Sequence, residues 1–231
     1  MSKRDWSKIV NEPMSTIVGQ TGEWRRSKKF ETGWGNFAEK LMLIVSEAVE
    51  VLEARGNIEA YSKMILFFKV GDIQETAEAL QSHLKNYIEE WVDIMVRTIE
   101  LIEACGLSID ESALSADMLL SGIKPSFLVD GRVSLDMLLQ SIDGRFQTVV
   151  TNASRAMEAF RDVKLETIDD DIVPLNDTRS KEAVEEINRR LGRIVISCIR
   201  AIRDIGEKWP ECYAEKMTKN EQRAERHGHE R

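Results

Sequence analysis

Leu43-Ile-Val-Ser-Glu-Ala-Val-Glu-Val-Leu-Glu-Ala54 reads as helix from end to end: good helix formers, no Gly, no Pro, and apolar residues on nearly every side. Leu41, Ile44, Val45, Ala48 and Leu52 recur at the spacing of one helical face. Glu47 and Glu50 stand three apart and are therefore neighbours on the helix surface. Their side of the helix also carries Leu43, Val51 and Ala54, an apolar setting for a carboxylate pair. Acids drawn toward an apolar interior are costly unless a cation meets them.

A second stretch answers the first. Tyr87-Ile-Glu-Glu-Trp-Val-Asp-Ile-Met-Val-Arg-Thr-Ile-Glu-Leu-Ile-Glu-Ala-Cys-Gly106 is again helical and apolar nearly all round. Glu90 and Asp93 share one face, with Arg97 a turn further along it. Packed with these faces inward, the two helices bring Glu47, Glu50, Glu90 and Asp93 together. Oxygen-only ligation suits a hard divalent ion, Mg²⁺ or Mn²⁺. A di-iron carboxylate bundle needs Glu-x-x-His, and no His stands near either pair.

The rest of the chain fits a helical protein. With 231 residues, 42% of them hydrophobic, it can bury a sizeable core as one large domain or two small ones. A net charge of −8 argues against a general nucleic-acid binder. Cys105, Cys198 and Cys212 form no CxxC and no even framework, which suggests buried thiols in a reducing compartment. The N-terminus lacks a signal-peptide run and no uncharged apolar segment reaches membrane-spanning length, so the expectation is a cytoplasmic protein without a membrane partner.

Along the chain, residues 1–34 resist assignment. Their cluster Arg25, Arg26, Lys28 and Lys29 is either a solvated lead-in or, less favoured, a phosphate contact. A first long helix is expected from a cap at Asn36 to a stop at Arg55-Gly56-Asn57. The Met-Ile-Leu-Phe-Phe run at residues 64–68 fits a buried helix or a short strand, and its helical neighbours favour helix. Asp72 and Glu75 have the spacing of a capping box for a helix running to Cys105, which Gly106 stops. Gly106, Gly122, Pro125 and Gly131 mark a boundary, dividing the chain into 1–125 and 126–231. Residues 135–162 read as helix with a break at Asp143-Gly144, residues 165–177 as loop, and residues 181–206 as a long amphipathic helix followed by Pro210. No segment shows the alternation of a sheet, so the expected class is all-α.

The two parts also resemble each other. A shift of 105 sets Ile44-Val45-Ser46 over Val149-Val150-Thr151, and a shift of 100 sets Ile94, Ile99, Ile102 and Gly106 over Ile194, Ile199, Ile202 and Gly206. The acids are not kept: Glu47 and Glu50 face Asn152 and Arg155, while Glu90 and Asp93 face Arg190 and Arg193. The expectation is an internally duplicated pseudo-dimer, each half a helical hairpin, with a metal site in the first half only. Arg155, Arg190 and Arg193 either pair with acids or hold phosphates.

Glu47-Ala-Val-Glu50 and Glu90-Trp-Val-Asp93 resemble the Glu-x-x-Glu and Glu-x-x-Asp signature of the MazG-like all-α nucleoside triphosphate pyrophosphohydrolases. Glu39-Lys-Leu-Met-Leu-Ile-Val-Ser-Glu47 and Val92-Asp-Ile-Met-Val-Arg97 resemble the words around those motifs. Lys216-Met-Thr-Lys-Asn220-Glu-Gln-Arg223-Ala-Glu-Arg226-His227-Gly228 is similar to the tail that closes many MazG-like domains. The resemblance covers residues 34–106 and 206–228. It departs from the family in a longer gap between Glu50 and Glu90, with an inserted helix expected in residues 57–82, and in placing the tail and the acids in opposite halves.

The resemblance implies hydrolysis of (deoxy)nucleoside triphosphates to the monophosphate and pyrophosphate. It implies Glu47, Glu50, Glu90 and Asp93 as Mg²⁺ ligands and catalytic groups, with Glu47 or Glu50 alternatively handling the attacking water. Lys216, Asn220 and Arg223 are the implied nucleotide contacts. Arg97 either offsets charge on pyrophosphate or forms a structural ion pair, and His227 and His229 belong to a solvated tail. A dimeric dUTPase-like specificity, which shares the metal motif, and a non-catalytic helical interaction protein are the competing readings. A homodimer of pseudo-dimers is a further expectation.

Overall fold

Six long or medium helices carry the architecture of the described part of the chain: α1 (Met14–Ser27), α2 (Phe37–Phe68), α3 (Ile73–Ala104), α4 (Leu135–Phe160), α5 (Thr178–Asp204) and α6 (Trp209–Gln222). The computed structural model describes residues 4–68, 73–110, 128–129, 132–133 and 135–222. α2 pairs with α3 and α4 with α5; the two pairs then stack, α2 on α4 and α3 on α5. One continuous core results, with Ile44, Trp91, Val149, Leu191 and Ile194 wholly buried in it. The pairs run antiparallel. Trp34 Nε1 donates to the Cys105 carbonyl at 3.1 Å near one end of the first pair, and the Tyr61 and His83 rings meet at 5.2 Å near the other. In the second pair Asp204 accepts from Ser141 at 2.8 Å, while the Lys164 N–H donates to Ser180 at 3.1 Å.

α1 and α6 both lie on α3. Buried Thr21 and Tyr213 join them by a hydroxyl–hydroxyl hydrogen bond of 2.7 Å. At Arg25 the Arg25–Lys29 cluster is not a solvated lead-in, while Arg26 beside it is exposed. Arg25 is buried and donates to Glu103 at 3.0 Å and to the Phe30 carbonyl at 3.1 Å, and Arg26 pairs with the same Glu103. Gly22 makes room for this, since a Cβ there would stand 2.0 Å from the Glu103 carboxyl carbon.

α3 and α5 end in the same way. Gly106 (φ +64°) donates to the Glu103 carbonyl and Leu107 to Ile102, while Gly206 (φ +88°) donates to Arg203 and Glu207 to Ile202. Both are paired Schellman-type bonds around a left-handed glycine, which satisfy carbonyls that the helix leaves open.

Several boundaries differ from the expectation. α2 passes through Gly56-Asn57 to Phe68. Glycine weakens a helix by about 1 kcal/mol, but Ile58 is fully buried just beyond it and Glu59 pairs with both Arg55 and Lys63 one turn either side. Arg55 also forks onto Asp143 of α4 at 2.8 and 3.0 Å, which helps α4 continue through Asp143-Gly144. Asn36 does precede α2, but its side chain turns back to accept from the Gly33 N–H at 3.0 Å. Asp72 and the boundary residues Gly122, Pro125 and Gly131 lie outside the described residues.

The fold is mostly helical, yet the loop expected at residues 165–177 contains an antiparallel hairpin, β3 (Leu165–Ile168) with β4 (Asp171–Pro174). Asp169 and Asp170 at its tip both have positive φ, the backbone of a two-residue turn that matches strand twist. Leu128–Val129 and Arg132–Val133, here β1 and β2, form a second small hairpin. Cys105, Cys198 and Cys212 are free thiols, the first two buried. Among the described residues no helix is long and apolar enough to cross a membrane.

Candidate functional site

Antiparallel pairing of α2 and α3 sets Glu47 and Glu50 opposite Glu90. One carboxylate oxygen from each lies within 4.8 Å of the others. Glu50 is exposed and the other two are half-buried, so the group opens to solvent on one side. Their environment raises the cost of carrying charge. Burial pushes the Glu90 carboxyl up to about 7, with Asp93 and Glu50 adding repulsion against the pull of Lys216. Glu47 is also raised, first by burial, with Arg97 opposing and Asp93 and Glu50 reinforcing. Asp93 and Glu50 thus both add to the disfavoured ionisation of Glu47 and Glu90.

Asp93 is near enough to influence both Glu47 and Glu90 but falls outside the triad. It is engaged from the other side by Lys216 of α6, a buried lysine whose ammonium pairs with it. Three acids therefore converge and the fourth is held at their edge by an internal cation. On the opposite edge Arg97 donates to Glu47 at 3.4 Å and lies 3.8 Å from Glu100. Lys216, expected as a nucleotide contact, thus pairs with Asp93, and Arg97 forms the ion pair that was one of its two expected roles. Asn220 lies one turn beyond Lys216, half-exposed, at the spacing that shares its helix face. Arg223, His227 and His229 lie outside the described residues.

Glu100 was not anticipated. It is 5% exposed, its Oε1 has no hydrogen-bond partner, and burial pushes its carboxyl up to about 7 against Arg97 and Arg25. Its signal was in the spacing, since positions 90, 93, 97 and 100 make one stripe, but its neighbours Ile99 and Leu101 drew it into the apolar background. Also unforeseen is a cleft of about 460 Å³ between α3 and α6, walled by Leu84, Ile88, Val92 and Ile205. Lys216 is in its wall too, so the cleft and the acids adjoin at that lysine.

No family model, curated protein or solved structure matches this chain. An oxygen-only set of three acids, open on one side, is a group that could hold a metal ion, and its oxygens suit hard cations rather than metals that prefer nitrogen or sulfur.

The second helix pair has a polar contact of its own. Asn152 of α4 and Arg190 of α5, both buried, meet there with Arg190 donating to the Asn152 side chain at 3.3 Å. Arg190 also donates to Glu186 at 2.6 Å. These are the positions that the sequence repeat sets against Glu47 and Glu90.

Proposed function

We propose that this protein is a Mg²⁺-dependent pyrophosphohydrolase of (deoxy)nucleoside triphosphates, as the MazG-like resemblance of its motifs implies. The observation that carries the reading is the convergence of Glu47, Glu50 and Glu90 from two helices, with Lys216 and Arg97 at its edges. In the reaction a water oxygen bonds to the α-phosphorus, the bridge to the β-phosphorus breaks, and pyrophosphate leaves. Mg²⁺, or Mn²⁺, held by Glu47, Glu50, Glu90 and a reoriented Asp93, would neutralise phosphate charge and make water a better nucleophile. Exposed Glu50 would orient that water and accept its proton. Lys216, once parted from Asp93, has its ammonium between the acids and the cleft, where it can meet the β- and γ-phosphates. Arg97 can swing from Glu47 to the leaving pyrophosphate, and the apolar cleft wall offers the nucleoside a place beside them.

The same reading includes internal duplication with one altered half. Matching glycine-centred ends on α3 and α5, and the Asn152–Arg190 contact at the positions of Glu47 and Glu90, support it. A chain so built carries its own pseudo-partner, and a homodimer of such chains is a compatible assembly.

The test is a panel of ribo- and deoxyribonucleoside triphosphates, dUTP among them, incubated with the full chain and Mg²⁺, with pyrophosphate and orthophosphate measured separately. Pyrophosphate and monophosphate are expected, with loss of turnover in EDTA. Glu50→Gln and Asp93→Asn should each lower turnover by at least about a hundredfold while the helical circular-dichroism spectrum stays unchanged. Wild-type turnover in both variants refutes the site, and a panel without pyrophosphate release refutes the activity. A response confined to dUTP selects the dUTPase-like specificity.

A further inference from the structure

We infer that the groove between α4 and α5 is a second, metal-independent site for a polyphosphate, the triphosphate tail of a nucleotide or inorganic polyphosphate. The Asn152–Arg190 contact is its floor, with the Arg190 guanidinium fixed by Asn152 on one side and Glu186 on the other. Arg155 is three residues from Asn152 on α4, and Arg193 is three from Arg190 on α5, so each shares a face with a floor residue. Both are exposed, and among the described residues neither engages a carboxylate. The contacts Ser141–Asp204 and Lys164–Ser180 fix the antiparallel register and set residue 155 nearly level with residue 190. Arg155 and Arg193 therefore stand only about 5 Å apart along the axis at about 1.5 Å per residue, close enough to share one phosphate group or two adjacent ones.

The charge in this groove is positive in excess. Glu186 is its acid, and Arg189 and Arg190 already occupy both of its oxygens. Arg155 and Arg193 keep planar donors that, among the described residues, engage no carboxylate. Such forks match phosphate oxygens in pairs and hold them directly, without an intervening cation. In the α2–α3 groove phosphate needs a metal because the protein side is acidic; here guanidinium groups stand at the corresponding positions and supply the positive charge themselves. The rim also carries Thr151, exposed and able to donate to a phosphate oxygen. This inference does not depend on hydrolysis at the acidic site, and the two can fail separately.

The experiment is calorimetric titration of the full chain with inorganic tripolyphosphate in EDTA, where the acidic groove has no metal through which to hold it. Saturable binding is expected. Arg155→Ala with Arg193→Ala should weaken it by at least about tenfold, while the exposed Lys181→Met leaves it unchanged. Arg155→Lys with Arg193→Lys should restore part of the affinity, since charge returns without the fork. Both arginines are exposed, so the thermal midpoint of the alanine variant serves as the check that the fold survives. Absence of binding in EDTA overturns the inference. So does binding that vanishes in Lys216→Met and persists in the arginine variants. A concentration-dependent dimer that the arginine variants abolish, without polyphosphate binding, would assign the groove to a second copy's acids and overturn it as well.

Discussion

Lys216→Met removes the cation that faces Asp93 and keeps an apolar stem of similar length. The lysine side chain is 7% exposed and the aspartate 24%. Breaking a fully buried ion pair by deleting one partner costs about 3–5 kcal/mol. Asp93 retains some access to water, so a loss of about 2 kcal/mol is the better expectation here. For a chain of this size each kcal/mol moves the melting temperature by about 2–4 °C, and a fall of about 4–8 °C should follow in EDTA. Magnesium should reverse it. Without Lys216, Asp93 becomes a further unneutralised ligand beside Glu47, Glu50 and Glu90, and Mg²⁺ should bind the variant more tightly than the wild type. A ligand at a hundred times its dissociation constant stabilises by about 2.7 kcal/mol, enough to offset the whole of that loss. The assay is thermal unfolding of both proteins in EDTA and across a Mg²⁺ titration. A variant as stable as wild type in EDTA, or equal Mg²⁺ shifts in the two proteins, would refute the view that Lys216 stands in for the metal.

Glu100 makes stability depend on pH. Its carboxyl, raised from 4.5 to about 7 by burial, binds a proton in the folded chain that the unfolded chain gives up. The folded state's advantage is complete below pH 4.5 and lost as pH rises through 7. The ceiling is about 3 kcal/mol, and Glu100→Gln should remove that slope and be more stable than wild type at pH 8, as read by urea unfolding across pH; an unchanged slope would count against a buried, proton-binding Glu100. Gly22→Ala should destabilise by on the order of 2 kcal/mol, because the new methyl displaces Glu103 from buried Arg25. Urea midpoints measure it, and a neutral result would show that the carboxylate relocates freely.

The helical class, the span of α3, its glycine stop and the facing of Glu47, Glu50 and Glu90 were legible because period and caps are local properties of sequence. What escaped depended on partners far away in the chain. Gly56 looked like a stop, yet Arg55 reaches Asp143 on α4 and carries the helix past it. Asp169-Asp170 looked like a charged loop, although both residues tolerate the left-handed backbone that a tight hairpin needs. At the site the motif placed four acids together, while the structure withholds Asp93 by means of a lysine distant in sequence. Lys216 carried a signal as a phosphate ligand, but nothing local marked it as the partner of Asp93.

Manganese binding to the nucleotide-free chain, followed by electron paramagnetic resonance with Mg²⁺ as competitor, tests the acid cluster without any assumption about substrate. The account predicts a saturable Mn²⁺ site that Mg²⁺ displaces and that Glu50→Gln or Glu90→Gln weakens sharply. Manganese that stays free in solution, or a site indifferent to replacement of Glu47, Glu50 and Glu90 together, would contradict it.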